Sequence, residues 1–181
     1  MNNGGVWNAT DAGRVWKPIF DEQPTGSIGA LAVSPSNPEV IYVGSGEGLQ
    51  RPDLSTGDGV YVSRDGGKSW TNTGLRECHQ VSAVIVDPKD DRRAFVAVLG
   101  HPYSANEERG VFRTLDGGKN WKKVLYVGNI ALCERGQSGS VTTRHTRLCY
   151  WPGGPEHQSA GLEIFAPFGG AAFSGGTLNG Q

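Results

Sequence analysis

Glu47 and Glu107 are the two carboxylic acids whose placement in this sequence could support catalysis. Each lies in a long polar segment that follows an apolar run, and the two apolar runs resemble each other. Two carboxyl groups roughly 5–10 Å apart can serve as an acid and as a base or nucleophile, which cleavage of a glycosidic bond requires. Catalysis by this pair therefore depends on whether the surrounding elements bring the two glutamates together.

The two polar segments, 45–58 and 100–109, also hold the residues that we expect to bind a ligand. Both segments are much longer than a β-hairpin needs, and long polar loops on a rigid scaffold commonly carry binding sites. The binding candidates are Glu47, Arg51, Asp53, Asp58, His101, Tyr103, Glu108 and Arg109. For the run Glu107, Glu108 and Arg109, we favour the alternative that it is a solvated or loop-bracing charge cluster.

A short pattern of Ser/Thr-x-Asp-x-Gly-x-x-Trp gives the chain its regularity. It reads "SRDGGKSW" at 63–70 and "TLDGGKNW" at 114–121, and a weaker copy, "ATDAGRVW" at 9–16, has Ala9 in place of the hydroxyl. The pattern residues are Asp11, Gly13, Trp16, Ser63, Asp65, Gly67, Trp70, Thr114, Asp116, Gly118 and Trp121. Because the aspartates recur after 54 and then 51 residues, the pattern indicates a structural repeat.

Turn chemistry explains every residue type in this pattern. An aspartate in a tight turn accepts hydrogen bonds from backbone N–H groups, and a Ser or Thr hydroxyl does the same more weakly. The glycine supplies a positive φ, and we expect the tryptophan ring to fold back over the turn and bury its apolar surface. We therefore interpret Asp11, Asp65 and Asp116 as structural residues rather than catalytic ones.

The remainder of each repeat predicts four antiparallel strands. Residues 28–47 align with 81–101, and each copy reads as a strand, a proline-containing turn and a second strand. A third strand precedes the Asp-containing turn and a fourth follows it. Four antiparallel strands in about 50 residues are the unit of a β-propeller blade. We expect an all-β chain with the outer half of a blade at 1–20 and full blades at 28–73 and 81–127.

The sequences "SRDGGKSW" and "TLDGGKNW" resemble the Asp-box, also called the bacterial neuraminidase repeat. Over about residues 3–127 the chain is similar to bacterial propeller proteins described as glycosyl-hydrolase-like or sortilin-type. The resemblance implies a fragment of an exported propeller, extracellular or periplasmic and incomplete in this chain, which is a binding or scaffold module for a glycan or a protein. The remaining blades of that propeller would also be its partners.

The resemblance leaves two alternatives open. In the first, the chain is part of a glycoside hydrolase with a sialidase- or xyloglucanase-like propeller, and the fragment by itself is inactive because a site at a propeller axis draws residues from several blades. In the second, the chain is a protein-binding propeller similar to sorting receptors or photosystem assembly factors. The Asp-box does not choose among these functions, since all of these proteins carry it.

Composition argues against several other classes of protein. The formal net charge of −1 gives no electrostatic reason to expect a nucleic-acid partner, and no apolar run approaches the roughly 20 residues of a membrane-spanning helix. The first ten residues, "MNNGGVWNAT", lack the basic and apolar regions of a signal peptide. We expect no cofactor and no metal site, because His79 and His101 stand apart in the sequence. The three cysteines read as free thiols.

The repeat stops after residue 127. Another Asp-containing turn is due near residue 167, where the sequence reads "FAPFGGAAF", and residues 128–181 contain no Asp and no Lys. We predict a non-repeat tail, which is either a divergent, disordered segment or, as we prefer, the product of a shifted reading frame. We therefore do not interpret the following residues as a metal site: Cys133, His145, Cys149 and His157.

Overall fold

A computed structural model describes residues 4–47, 55–101 and 107–125, together with the backbone of three strands farther along the chain. These residues are all-β, with one short 3₁₀ turn at Arg76–Cys78. The strands are β1 (Trp7–Asn8), β2 (Lys17–Pro18), β3 (Ile28–Val33), β4 (Ile41–Ser45), β5 (Val60–Ser63), β6 (Thr71–Asn72), β7 (Val81–Val86), β8 (Ala94–Val98), β9 (Gly110–Thr114), β10 (Lys122–Leu125), β11 (Thr146–Tyr150), β12 (Leu162–Ala166) and β13 (Ala172–Phe173). The described part of the chain contains no helix long and apolar enough to cross a membrane.

Two four-stranded antiparallel sheets form the body of the chain. The first blade has the order β3-β4-β5-β6 and the second has the order β7-β8-β9-β10, so each strand pairs with its sequence neighbours. The registers of the two sheets correspond: Val33 pairs with Ile41 in the first blade, and Val86 pairs with Ala94 in the second. The predicted all-β fold class with four-stranded blades is confirmed.

The main apolar core lies between the two blades. Tyr42 and Val60 from the first blade and Val81 and Val96 from the second are fully buried in one cluster. Gly44 allows the close approach, because a Cβ at this position would lie 2.3 Å from Cγ1 of Val81. Full burial of a valine side chain contributes about 1.5–3 kcal/mol to the free energy of unfolding. The junction therefore stabilises the two blades as one unit.

The opposite face of the first blade packs on the N-terminal hairpin β1–β2. Successive residues of a strand point to opposite faces of a sheet, so Ile41 and Val43 face away from the second blade and pack in a cluster with Val6 and Phe20. The Phe20 ring is edge-on to the ring of Tyr61, with centroids 5.2 Å apart. Because β4 and β5 are buried on both faces, their sequences are nearly continuous apolar runs.

A third sheet joins the strands β11, β12 and β13 in that order. Thr146 pairs with Ala166, and Ile164 pairs with Phe173, in antiparallel ladders. Most of the predicted tail, 128–181, lies outside the described residues, and its origin from a shifted frame or its disorder stays a prediction. The side chains of Cys133, His145, Cys149 and His157 lie outside the described part as well.

Candidate functional site

The antiparallel order of each blade places the connections between its strands at two opposite ends of the sheet. The described residues of the connections β4–β5, β6–β7 and β8–β9 lie at one end of the sheets, which we call the loop end; they are 46–47, 55–59, 73–80, 99–101 and 107–109. The Asp-containing turns β5–β6 and β9–β10 (63–70 and 114–121) lie at the other, which we call the box end. The connections predicted to bind a ligand and the Asp-containing turns are therefore at opposite ends of the blades.

At the box end, the two complete Asp-containing turns have the same hydrogen bonds. The Ser63 hydroxyl donates to an Asp65 oxygen at 2.8 Å and accepts from the Gly67 N–H at 2.8 Å. The Asp65 carboxylate also accepts from the backbone N–H and the hydroxyl of Ser69, at 2.9 and 2.6 Å. In the second blade the equivalent contacts join Thr114, Asp116, Gly118 and Asn120.

These hydrogen bonds lower the pKa of both aspartates. The donors of Ser69 bring the pKa of Asp65 from 3.8 to about 2, and the donors of Asn120 bring the pKa of Asp116 to about 2. A carboxyl group that remains ionised, with its oxygens occupied by the turn, is poorly suited to donate a proton near neutral pH. The geometry therefore supports a structural role for these two side chains.

The tryptophans of the two complete turns bind the preceding repeat through their indole N–H groups. Trp70 donates to the Ile19 carbonyl at 2.6 Å, and Trp121 donates to the Thr73 carbonyl at 3.0 Å. Only Trp16, in the N-terminal copy, donates to a carbonyl within its own turn. This differs from the prediction, which assigned each ring to its own turn, because the neighbouring repeat supplies an acceptor that the local pattern does not reveal.

The two candidate catalytic glutamates at the loop end have different surroundings. Glu47 follows β4 and is only 6% exposed, and its backbone N–H donates to the Ser55 carbonyl at 3.4 Å. Glu107 is exposed, Glu108 is half-buried, and the Glu107 carbonyl accepts a hydrogen bond from the Lys123 ammonium. Their service as a catalytic pair stays a prediction. The binding candidates outside the described residues are Arg51, Asp53 and Tyr103.

Asp58 and Arg109 are held by internal hydrogen bonds of the loop end. The Asp58 carboxylate accepts from the Tyr61 hydroxyl at 2.7 Å, and burial, followed by this hydrogen bond, raises the pKa of Tyr61. The buried Arg109 guanidinium donates to the carbonyls of Leu99 and His101, at 2.8 and 2.7 Å. Arg109 thus braces the β8–β9 connection, which agrees with the loop-bracing alternative for this charge cluster.

Two histidines that stand apart in the sequence meet at the loop end. The ring centroids of His79 and His101 lie 4.3 Å apart, and the backbone of His79 has a φ of 47°, which is uncommon for a residue other than glycine. The Nδ1 atom of His79 and the Oε1 atom of Gln80 are buried without a hydrogen-bond partner. No sequence pattern marks these residues, because only the contact between two connections from different parts of the repeat brings them together.

The described residues hold no group of three or more His, Cys, Asp or Glu side chains suited to a metal ion. Cys78 is buried in the core beside this end of the blades, and burial is the main cause that raises the pKa of its thiol to about 12. Because the thiolate is the reactive form of cysteine, this residue is a poor nucleophile.

Comparison with known proteins agrees with this architecture. Residues 61–72 match the BNR/Asp-box repeat family. The chain is 26% identical over 141 residues to a xyloglucanase from Paenibacillus sp., a match that spans 70% of this chain and 13% of that protein. Among solved structures, it is similar to a GH74 enzyme from Niastella koreensis, with 18% identity, a TM-score of 0.61, and coverage of 96% of this chain and 26% of the other.

A second solved structure of similar fold is YCF48 bound to a D1 peptide, with 15% identity, a TM-score of 0.52, and coverage of 95% of this chain and 58% of the other. Likeness at these identities shows the fold. Since the chain covers 13% of the xyloglucanase and 26% of the GH74 enzyme, it corresponds to a minor part of each. Residues 28–125 have the fold of two β-propeller blades with Asp-box turns, and the chain resembles the glycosyl-hydrolase-like propeller proteins.

Proposed function

We propose that the chain is the binding part of an exported Asp-box propeller and that its loop end binds a glycan. The observation that carries this proposal is the exposed His101, whose ring centroid lies 4.3 Å from that of His79 at the loop end. An imidazole nitrogen donates or accepts a hydrogen bond according to its tautomer. A ligand rich in hydroxyl groups matches an exposed imidazole of this kind.

The ligand class is further supported by the comparison with the Paenibacillus xyloglucanase. Xyloglucan is therefore the first glycan to test. A propeller that binds a plant-type polysaccharide meets its ligand outside the cytoplasm, and we accordingly place the parent protein in the extracellular or periplasmic space. The Asp-containing turns have no part in this binding, because they lie at the opposite end of the blades and their carboxylates bond within the turn.

Glycoside hydrolysis is the second candidate function, and burial of Glu47 favours it. Glu47 is only 6% exposed and follows β4 at the loop end, where a carboxyl group held in place by its surroundings is available to a bound glycan. Hydrolysis also requires a second carboxylate roughly 5–10 Å away, which the predicted partner Glu107 would have to supply. The peptide-bound YCF48 structure supports a third candidate, recognition of a protein segment by the same blades.

The test is to measure binding of xyloglucan by affinity gel electrophoresis and titration calorimetry. The wild-type chain should bind, and His101→Ala should weaken binding about tenfold, which is the loss of roughly one good polar contact. Lys119→Ala is the matched control, because Lys119 is exposed at the box end, and its binding should equal that of the wild type. Equal losses in both variants, or no retardation by xyloglucan, would overturn the proposal.

The same samples distinguish the rival functions. Release of new reducing ends from xyloglucan, abolished by Glu47→Gln, would favour the hydrolase and would contradict the expectation that these blades are inactive by themselves. Equal glycan binding by the wild type and Glu47→Gln, without release of reducing ends, would support the binding proposed for this chain. A chain that ignores xyloglucan and retains a peptide from a peptide array in a His101-dependent manner would favour the protein-binding propeller.

A further inference from the structure

The fold brings two imidazole rings into contact at the loop end. His79 belongs to the β6–β7 connection and His101 to the β8–β9 connection, and their ring centroids lie 4.3 Å apart with the ring planes tilted by 53°. The sequence-based expectation of no metal site rests on the separation of these two histidines along the chain. Because the fold removes that separation, the pair can be considered as ligands of one ion.

His79 is the central residue of a strained three-residue turn. Its φ and ψ are 47° and −42°, and the Gln80 N–H donates a hydrogen bond to the Cys78 carbonyl. This is a γ-turn of the rare, positive-φ kind. Glycine would adopt this φ without strain, so the turn itself gains nothing from an imidazole. Strain of this kind is concentrated at functional sites, which directs attention to the His79 side chain.

The backbone beneath both imidazole rings is held by hydrogen bonds from other parts of the loop end. The His79 carbonyl accepts from the Gly57 N–H at 2.6 Å. The His101 carbonyl accepts from the buried Arg109 guanidinium at 2.7 Å. Groups that are fixed before binding lose less conformational freedom when they bind. The two histidines are therefore preorganised as a pair.

One nitrogen of this pair lacks a hydrogen-bond partner. The Nδ1 atom of His79 is buried, and no group in the described part of the chain bonds to it. A buried polar atom left in this state is unfavourable, and each such atom in a folded protein calls for an explanation. A neutral imidazole nitrogen is the commonest metal ligand in proteins. Coordination of an ion would satisfy the His79 Nδ1 atom without a further protein group.

We propose that His79 and His101 together bind one divalent transition-metal ion of the kind that prefers imidazole, such as Zn²⁺. Zn–N bonds of about 2.0–2.1 Å place two imidazole centroids on one tetrahedral ion about 5 Å apart. The rings therefore have to separate by less than about 1 Å, which the exposed His101 ring allows. Within the described residues no third His, Cys, Asp or Glu joins the pair, so the two rings by themselves make an open, exchangeable site.

The test is titration calorimetry of the purified full chain with zinc chloride alone. His79→Ala and His101→Ala should each remove one and the same zinc equivalent from the titration of the wild type. The double variant should lose no more than either single variant, because both side chains act on one ion. Magnesium chloride should give no heat at this site, since Mg²⁺ prefers oxygen ligands. No glycan is present, so the outcome is independent of the xyloglucan test.

Two control variants separate coordination from packing and from other histidines. His101→Phe keeps an aromatic ring beside His79 but has no nitrogen, so it should lose the zinc equivalent and keep the circular dichroism spectrum of the wild type. His157→Ala changes a histidine of the predicted tail and should keep the equivalent. A wild type that binds no zinc would overturn the proposal. So would a titration that His79→Ala and His101→Ala leave unchanged, or that only one of them alters.

Discussion

Replacing Thr114 by valine should destabilise the second blade through the loss of a single hydroxyl group. Thr114 is 1% exposed, and its oxygen accepts from the Gly118 N–H at 2.9 Å while its proton goes to Asp116 at 2.8 Å. Valine keeps the shape and the β-branch of threonine but leaves the buried Gly118 N–H without a partner. An unsatisfied buried donor costs about 1–3 kcal/mol, so we expect the free energy of unfolding to fall by about that amount.

Urea unfolding followed by tryptophan fluorescence measures this change, and Thr114→Ser is the control. Serine retains the hydroxyl and loses only a methyl group, so it should remain within about 1 kcal/mol of the wild type. Hydrogen exchange provides a second, local measurement, because the Gly118 amide should lose protection in Thr114→Val and keep it in Thr114→Ser. The reasoning is refuted if valine is tolerated within about 0.5 kcal/mol, or if serine and valine destabilise equally.

Three further predictions concern ionisation, contact between repeats and thiol reactivity. Asp65 and Asp116 have a pKa of about 2 in the folded chain, against an ordinary value of 3.8. The stability they contribute is therefore complete above about pH 4 and is lost as the pH falls towards 2. In Asp65→Asn and Asp116→Asn, the free energy of unfolding should depend less on pH over this range. Trp121→Phe should lower the free energy of unfolding by about 0.5–1.5 kcal/mol or more, because it removes the hydrogen bond from the indole N–H to the preceding blade. Trp16→Phe should have little effect on the free energy of unfolding, because Trp16 is exposed. Cys78, with a buried thiol of pKa about 12, should resist iodoacetamide at pH 8 in the native chain and react in urea, as peptide mass spectrometry would show.

The four-stranded blades could be predicted from the sequence because each signal is local. The alternation of β3 and β7, the turn after each of them, and the hydroxyl, Asp and Gly of each box are contained in windows of about ten residues, and the repeat supplies an independent second copy. The hydrogen bonds of the Ser63 and Asp65 side chains, for example, all span four residues or fewer. Local patterns of this kind do not depend on how the blades are arranged.

The contacts between repeats could not be predicted in the same way. The acceptors of Trp70 and Trp121 are backbone carbonyls, which every residue possesses, so the identities of Ile19 and Thr73 carry no signal of their own. The meeting of His79 with His101 depends on a positive φ at His79, which is rare outside glycine and is not foreseeable from that residue type. Both failures concern interactions whose specificity is in the geometry rather than in the residue types.

The two ends of the blades are under different physical constraints, and this decides what the Asp-box can reveal about function. At the box end, a hydroxyl, a carboxylate, a glycine and an indole each have a partner fixed by the repeat, and altering one removes a hydrogen bond within a turn or between repeats. At the loop end, Arg109 and Asp58 hold their own connections, and nothing in the box depends on which side chains those connections display. Loop residues can therefore differ between propellers without loss of the blade. A match to the Asp-box consequently identifies the scaffold, and the ligand has to be found by experiments on the loop end.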